Sequence, residues 1–251
     1  MANTPQPRSQ QGPSSEALLV ARKIQSTLIS NRLTGEEWEK HVAECLQYRF
    51  HAAMVPAAWV RKTADRLRGT GVRVASFIDL PFGTMTSAGK AYEAGRLVDE
   101  GAVEIDLMPN VGFLVSGMEK EYFEDIRGVV AGAAGIPVKI MLELPLLNDQ
   151  QRERAIALSV EAGVAYLKNA SSGAVGTAKP EDVRFLRRRA PAHVRVKASG
   201  GIKAAKQVLE LLAARADLVG TSAGVKIVQE LLQDHDRADR HPPSEKTSPG
   251  Y

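Results

Sequence analysis

The chain has 251 residues, 44% of them hydrophobic and 25% charged, which is an ordinary globular composition with length enough for one large core. Its 33 Lys and Arg against 29 Asp and Glu leave a formal charge of +4, too little for a nucleic-acid-binding stripe but compatible with an anionic small molecule. No apolar run reaches the roughly 20 residues of a membrane span, the N-terminus lacks an apolar signal core, and the single cysteine, Cys45, excludes a disulfide framework, so the expectation is a cytoplasmic protein with no membrane partner.

In chain order, residues 1–15 carry Pro, Gln and Ser with almost nothing apolar and predict a disordered segment. Residues 16–233 contain no linker-like stretch and read as one domain. Short β-branched runs predict strands at Ile24–Ser30, Ala52–Pro56, Val72–Asp79, Val103–Pro109, Val138–Leu144, Ala165–Ala170, Val194–Ala198 and Ala216–Thr221. Helical patterns lie between them at Trp59–Arg68, Ser87–Glu100, Asp149–Ala162, Pro180–Arg189 and Ile202–Ala214. Residues 234–251 combine charge with Pro and Ser and predict a flexible tail. This alternation predicts a single (β/α)8 TIM barrel of the α/β class. The competing doubly wound sheet would carry a G-x-G-x-x-G after its first strand, and none is present.

Several strands alternate apolar with charged residues. Glu104 and Asp106 form one parity of the fourth strand, and Lys139 and Glu143 one parity of the fifth. The apolar parity must face the helices, so the charges point into the lumen. Glu104 and Lys139, early in their strands, read as ion pairs filling the barrel floor. Lys168 and Lys197 sit near the C-terminal ends of adjacent strands, the face that carries active sites in this fold. Two ammonium groups that repel each other in a desolvated lumen lose their protons more easily than the usual lysine at about 10.4. A neutral amine attacks carbonyls and forms Schiff bases, with Asp106 two strands away. Taken alone, either lysine reads as a salt-bridge member. The last two strands run into Ser199–Lys203 and Gly220–Gly224, whose glycines expose backbone N–H groups before helices and predict a phosphate site. The five histidines, His41, His51, His193, His235 and His241, show no ligand spacing, so no metal is expected. Cys45 falls in a helical pattern and is expected in the core. Arg184 with Arg187, Arg188 and Arg189 reads as a solvated helix end.

GAVEID (Gly101–Asp106), NVGFLVSG (Asn110–Gly117), Leu167–Lys168, VKASGGIK (Val196–Lys203) and VGTSAGVKIV (Val219–Val228) together resemble the deoxyribose-phosphate aldolase family, over about Ile24 to Glu230. The resemblance implies a class I aldolase barrel with no metal and no cofactor, often dimeric. Such an enzyme reversibly joins acetaldehyde and glyceraldehyde 3-phosphate into 2-deoxyribose 5-phosphate. The implied partners are therefore a phosphorylated aldehyde or sugar, a short carbonyl donor and a second copy in a homodimer. By position, Lys168 matches the Schiff-base lysine, Lys197 the lysine that depresses its pKa, and Asp106 the proton relay. Gly200, Gly201, Gly220 and Ser222 match the phosphate loops, and Ser171 and Thr221 complete the expected substrate-binding set. In some members a C-terminal tyrosine assists proton transfer, a role that would fall to Tyr251. The sequence departs from the family where IQST (Ile24–Thr27) replaces IDHT, where MVPA (Met54–Ala57) replaces CVNP, and where KNASS (Lys168–Ser172) replaces KTSTG. It departs again where ELPLL (Glu143–Leu147) replaces ETCLL. Three readings stay open: the standard aldolase, an aldolase for another carbonyl substrate, and a phosphosugar-binding barrel without carbon–carbon chemistry.

Overall fold

A computed structural model describes residues 15–240. Eight parallel strands pair in chain order and β8 closes onto β1: β1 Ile24–Thr27, β2 Ala52–Met54, β3 Arg73–Ile78, β4 Glu104–Leu107, β5 Val138–Met141, β6 Tyr166–Lys168, β7 Arg195–Ser199 and β8 Leu218–Thr221. Around them lie α2 Gly35–Tyr48, α3 Val60–Leu67, α4 Ser87–Asp99, α6 Glu119–Gly132, α7 Asp149–Glu161, α8 Pro180–Arg189, α9 Ala205–Ala213 and α10 Gly224–Arg240. A first helix, α1 Ser15–Ala21, precedes the barrel, and a short α5, Val111–Val115, follows β4. This is the (β/α)8 barrel that the strand count implied, since parallel strands need helical crossovers that bury their outer face.

Alternation divides each strand between two cores. One parity, including Ile105, Leu107, Val138, Ile140, Leu167, Val196 and Val219, is buried in the large core shared with the helices. The other parity enters the lumen. There Ala52, Met54 and Ala75, with Phe77 against them, form a small separate apolar cluster, while β4 to β7 contribute charges. Cys45 is fully buried on α2, as expected, and burial pushes its thiol up to about 12.

Several strands are shorter than the sequence reading, with β1 ending at Thr27, β4 at Leu107 and β6 at Lys168, and β8 starting at Leu218; three further differences are larger or have a visible cause. β5 stops at Met141, because Glu143 adopts a left-handed backbone (φ 53) and leads into a 3-10 turn, Leu144–Leu146. Helix α9 begins at Ala205 instead of Ile202: Gly200 and Gly201 both have positive φ, and Gln207 Oε1 accepts from the backbone N–H groups of Lys203 and Ala204. Helix α10 continues to Arg240, past residue 233, where the sequence reading ends the barrel. Residues 1–14 and 241–251, and with them Tyr251, lie outside the described residues. Among the described residues no helix is long and apolar enough to cross a membrane.

Candidate active site

Strand register brings the lumen charges together. Lys168 stands beside Lys197, and Asp106 beside Lys139. Asp106 Oδ2 accepts from Lys197 Nζ at 2.6 Å and from Lys168 Nζ at 3.0 Å. Its Oδ1 faces Lys139 Nζ at 3.4 Å and Gln25 Nε2 at 3.5 Å. Burial alone would raise the Asp106 carboxyl. The ammonium groups of Lys197, Lys168 and Lys139 overcome it and hold the group ionised, far below the usual carboxylate range. Lys197 moves the other way: burial, reinforced by repulsion from Lys168 and Lys139, pushes it well below the ordinary lysine value despite the attraction of Asp106. Lys197 therefore parts with its proton easily, beside the amine of Lys168.

A cavity of about 290 Å³ opens over the C-terminal strand ends, and Lys168 and Asp106 form part of its wall. Lys197 does not line it. It is packed against Gly220, where a Cβ would lie 2.9 Å from Lys197 Cε and 2.4 Å from Ser199 Oγ. The cavity has two unlike flanks. Toward β1 to β5 it is apolar, with Ile29, Met54, Phe77, Leu80 and Met141. Toward β6 to β8 it is small and polar, with Ser171, Ser172, Gly200, Gly201, Lys203 and Ser222. All the expected substrate-binding residues, Gly220 and Thr221 included, border this cavity.

The polar flank is built by loops that fix one another. Asn169 Nδ2 donates to Ser199 O at 3.0 Å while its Oδ1 accepts from Ser199 N at 2.9 Å, so this amide ties the β6 loop to the β7 loop. That pairing gives a physical role to one departure from the family pattern. Gly200 sits at φ 110, and a Cβ there would lie 2.3 Å from Gly176 O. Glu143 Oε1 accepts from Ser171 N at 2.6 Å, and burial raises its carboxyl. The Thr221 hydroxyl donates to Ile202 O at 2.7 Å and accepts from Ala223 N at 2.9 Å, so it joins the last two loops. The Gly200–Gly201 amides, the Lys203 side chain and the segment ahead of α10 leave a basic, donor-rich end suited to a phosphate.

On the opposite flank two further departures meet. Gln25 Nε2 donates to Met54 Sδ at 3.2 Å, and Gln25 Oε1 is buried without a hydrogen-bond partner. Sequence reasoning assigned no site role to Ser172 or Lys203, although Lys203 closes the Ser199–Lys203 run it had read as a phosphate loop. Nor did it foresee the apolar flank, whose members come from five separate strands and loops. Among the described residues no group of three or more His, Cys, Asp or Glu side chains is placed to hold a metal ion.

No family model matches the chain. Individual relatives do. A deoxyribose-phosphate aldolase of Carboxydothermus hydrogenoformans is 35% identical over 221 residues, covering 86% of this chain and 97% of the relative. One from Methanothermobacter thermautotrophicus is 38% identical over 211 residues, covering 84% and 94%. Among solved structures, the tetrameric deoxyribose phosphate aldolase of Aeropyrum pernix superimposes with a TM-score of 0.77 at 29% identity, covering 87% of this chain and 98% of that one. An aldolase designated QR15 gives 0.81 at 27% identity, with the same coverage.

Proposed function

The chain belongs to the deoxyribose-phosphate aldolase family, and from that premise we propose that it cleaves 2-deoxyribose 5-phosphate reversibly to acetaldehyde and glyceraldehyde 3-phosphate through a Schiff base at Lys168. One observation carries the assignment of the nucleophile: of the two lysines that share Asp106, Lys168 lies on the cavity wall, while Lys197 is packed behind Gly220. The Lys168 amine attacks C1 of the open-chain sugar, and loss of water leaves an iminium. The C3 hydroxyl then gives up its proton, the C2–C3 bond breaks, and its electron pair passes to C2 to form an enamine. Glyceraldehyde 3-phosphate departs. Protonation of the enamine at C2 and hydrolysis of the imine release acetaldehyde and restore the amine.

Asp106 takes the role of proton relay, since one of its oxygens touches both Lys168 and Lys197. The Gly200, Gly201 and Ser222 end of the cavity holds the phosphate, with Lys203 beside it and Ser171 at the β6 loop. Borohydride reduction in the presence of acetaldehyde tests the reading: a stable two-carbon adduct is expected on Lys168. Lys168→Met should lose the adduct and lower turnover by at least about 10⁴-fold. An adduct on another lysine would move the nucleophile.

A second reading rests on the apolar flank. Met54, Phe77, Leu80 and Met141 offer more apolar wall than a two-carbon donor covers, which favours a donor carrying an added alkyl group. A competition between acetaldehyde and propanal at a fixed acceptor separates the two. The tetrameric Aeropyrum relative supports self-association. A homodimer is the assembly proposed here, with sedimentation equilibrium as its test, and the cytoplasm is the proposed compartment.

A further inference from the structure

The floor of the barrel is not electrically separate from the site above it. Lys139, fully buried on β5, lies 2.8 Å from Glu104 Oε2 below and 3.4 Å from Asp106 Oδ1 above. We propose that Lys139 is a positioning residue for the aldol reaction: by occupying one oxygen of Asp106, it makes Lys168 and Lys197 share the other and leaves that pair one proton short. The proposal rests on the Schiff-base reading above.

A carboxylate can accept two hydrogen bonds at each oxygen, but two ammonium groups are held with least mutual repulsion when each takes an oxygen of its own. Here three ammonium groups surround one carboxylate. Lys168 and Lys197 both converge on Oδ2, at 3.0 and 2.6 Å, while Oδ1 is faced by Lys139 and by the Gln25 amide. Two cations on one oxygen repel each other at close range in a dehydrated lumen, and release of a proton from the pair relieves that repulsion. With Oδ1 vacated, each of the two lysines could take an oxygen of its own, and both could stay protonated. Lys139 also repels the Lys197 ammonium directly.

The other groups around Lys139 hold its amine in place. Glu104 is itself bonded to His51 Nε2 at 2.8 Å and approached by Arg73 Nε at 3.7 Å. Burial would raise Glu104, but the His51 hydrogen bond and the Lys139 charge lower it to about 2, so it remains an anion beneath Lys139. From β6 the Tyr166 ring lies 5.6 Å from Lys139 Nζ, and Arg195 of β7 stacks on the same ring at 4.1 Å. Burial keeps the Tyr166 phenol protonated, so it adds no charge. Glu143, held to Ser171 N, faces Lys168 and does not contact Lys139. Every group that could neutralise Lys139 therefore lies on its floor side, and only Asp106 lies toward the nucleophile.

The test is the pH dependence of cyanoborohydride trapping of acetaldehyde at Lys168, located by mass spectrometry. In Lys139→Met the midpoint of the profile should rise by at least about one pH unit, with trapping at neutral pH slowed about tenfold and recovering at high pH. Because that variant leaves Glu104 buried without its partner, the double variant Lys139→Met/Glu104→Gln serves if the single one does not fold. It leaves no buried charge stranded, and its midpoint should rise in the same direction. A merely structural role would lower the rate at every pH without moving the midpoint. A folded variant of either kind with an unmoved midpoint overturns the proposal while leaving the Schiff base intact. Absence of trapping at Lys168 in the parent protein would remove the aldolase reading itself.

Discussion

The two flanks of the cavity are built by different means. Toward β6 to β8, backbone forms the wall: glycines at 200, 201 and 220 bring main chain and small hydroxyls against the cavity, and Asn169 locks one loop to the next by pairing both backbone groups of Ser199. Toward β1 to β5, side chains do it. Ile29, Met54, Phe77, Leu80 and Met141 present an apolar wall with Thr27 as its polar member. A backbone site recognises a charge whose size and valence are fixed, and it tolerates little change. A wall of flexible side chains, two of them thioethers, can be reshaped one residue at a time. Departures from the family pattern fall on both flanks: Met54, contacted by the buried Gln25, belongs to the second kind, while Ser171 and Ser172 line the first, with Asn169 of the same loop holding the Ser199 backbone.

Four measurements would break or sharpen this contrast. The largest effect belongs to the charges beneath both flanks. Glu104 is lowered to about 2 from an ordinary 4.5, so its native interactions stabilise the fold fully above the ordinary value. That contribution is lost as pH falls from 4.5 toward 2, and by linkage it amounts to roughly 3 kcal/mol. Urea unfolding across this window should show the slope, and Glu104→Gln should lessen it, leaving the part that Asp106 contributes below 3.8. An equal slope in both proteins would place the acid sensitivity elsewhere.

Next is Gly220→Ala. The added Cβ meets Ser199 Oγ at 2.4 Å and Lys197 Cε at 2.9 Å, so the Ser199 hydroxyl and the Lys197 side chain that holds Asp106 must both give way. A displacement on the order of 1 Å in such a constellation costs about 10²-fold in kcat. Loss of phosphate affinity with kcat preserved would mean that the glycine serves the ligand and not the lysine.

Ser222→Glu then sets a carboxylate against the polar flank. A like charge at an exposed position opposes a phosphate by about 1 kcal/mol or more per unit charge, so KM for 2-deoxyribose 5-phosphate should rise at least about tenfold. The rate of acetaldehyde trapping at Lys168 should change far less, since acetaldehyde carries no phosphate. Equal losses in both assays would erase the distinction between the flanks.

The smallest effect is Met54→Ala. Removal of this buried side chain should cost about 2 kcal/mol or more in stability. It should also shift donor preference toward propanal by roughly fourfold, the worth of one buried methylene. An unchanged donor ratio would show that the apolar wall does not contact the donor.

Much of this was legible in the sequence because alternation is local. In Val138–Leu144 or Val103–Met108 a period of two residues is enough to assign Lys139, Glu104 and Asp106 to the inside of a closed sheet, since the apolar parity has only one place to go. Adjacent strands in a parallel barrel are consecutive in chain order, so the meeting of Lys168 with Lys197 followed as well, and the register pairs them directly. The Gly200–Gly201 and Gly220 segments announced themselves by composition. What the sequence alone left undecided depends on distances across the barrel. Floor and site read as two separate sets of charges, and it is the register of β4 on β5 that sets Lys139 beside Asp106, 3.4 Å from its Oδ1. The partnership of Gln25 with Met54 spans 29 positions, that of Asn169 with Ser199 spans 30, and that of Lys197 with Asp106 spans 91. The apolar flank is likewise assembled from residues that no window of sequence contains together. Strand tilt and stagger fix which side chains share a layer of the lumen, and those quantities belong to the closed barrel as a whole.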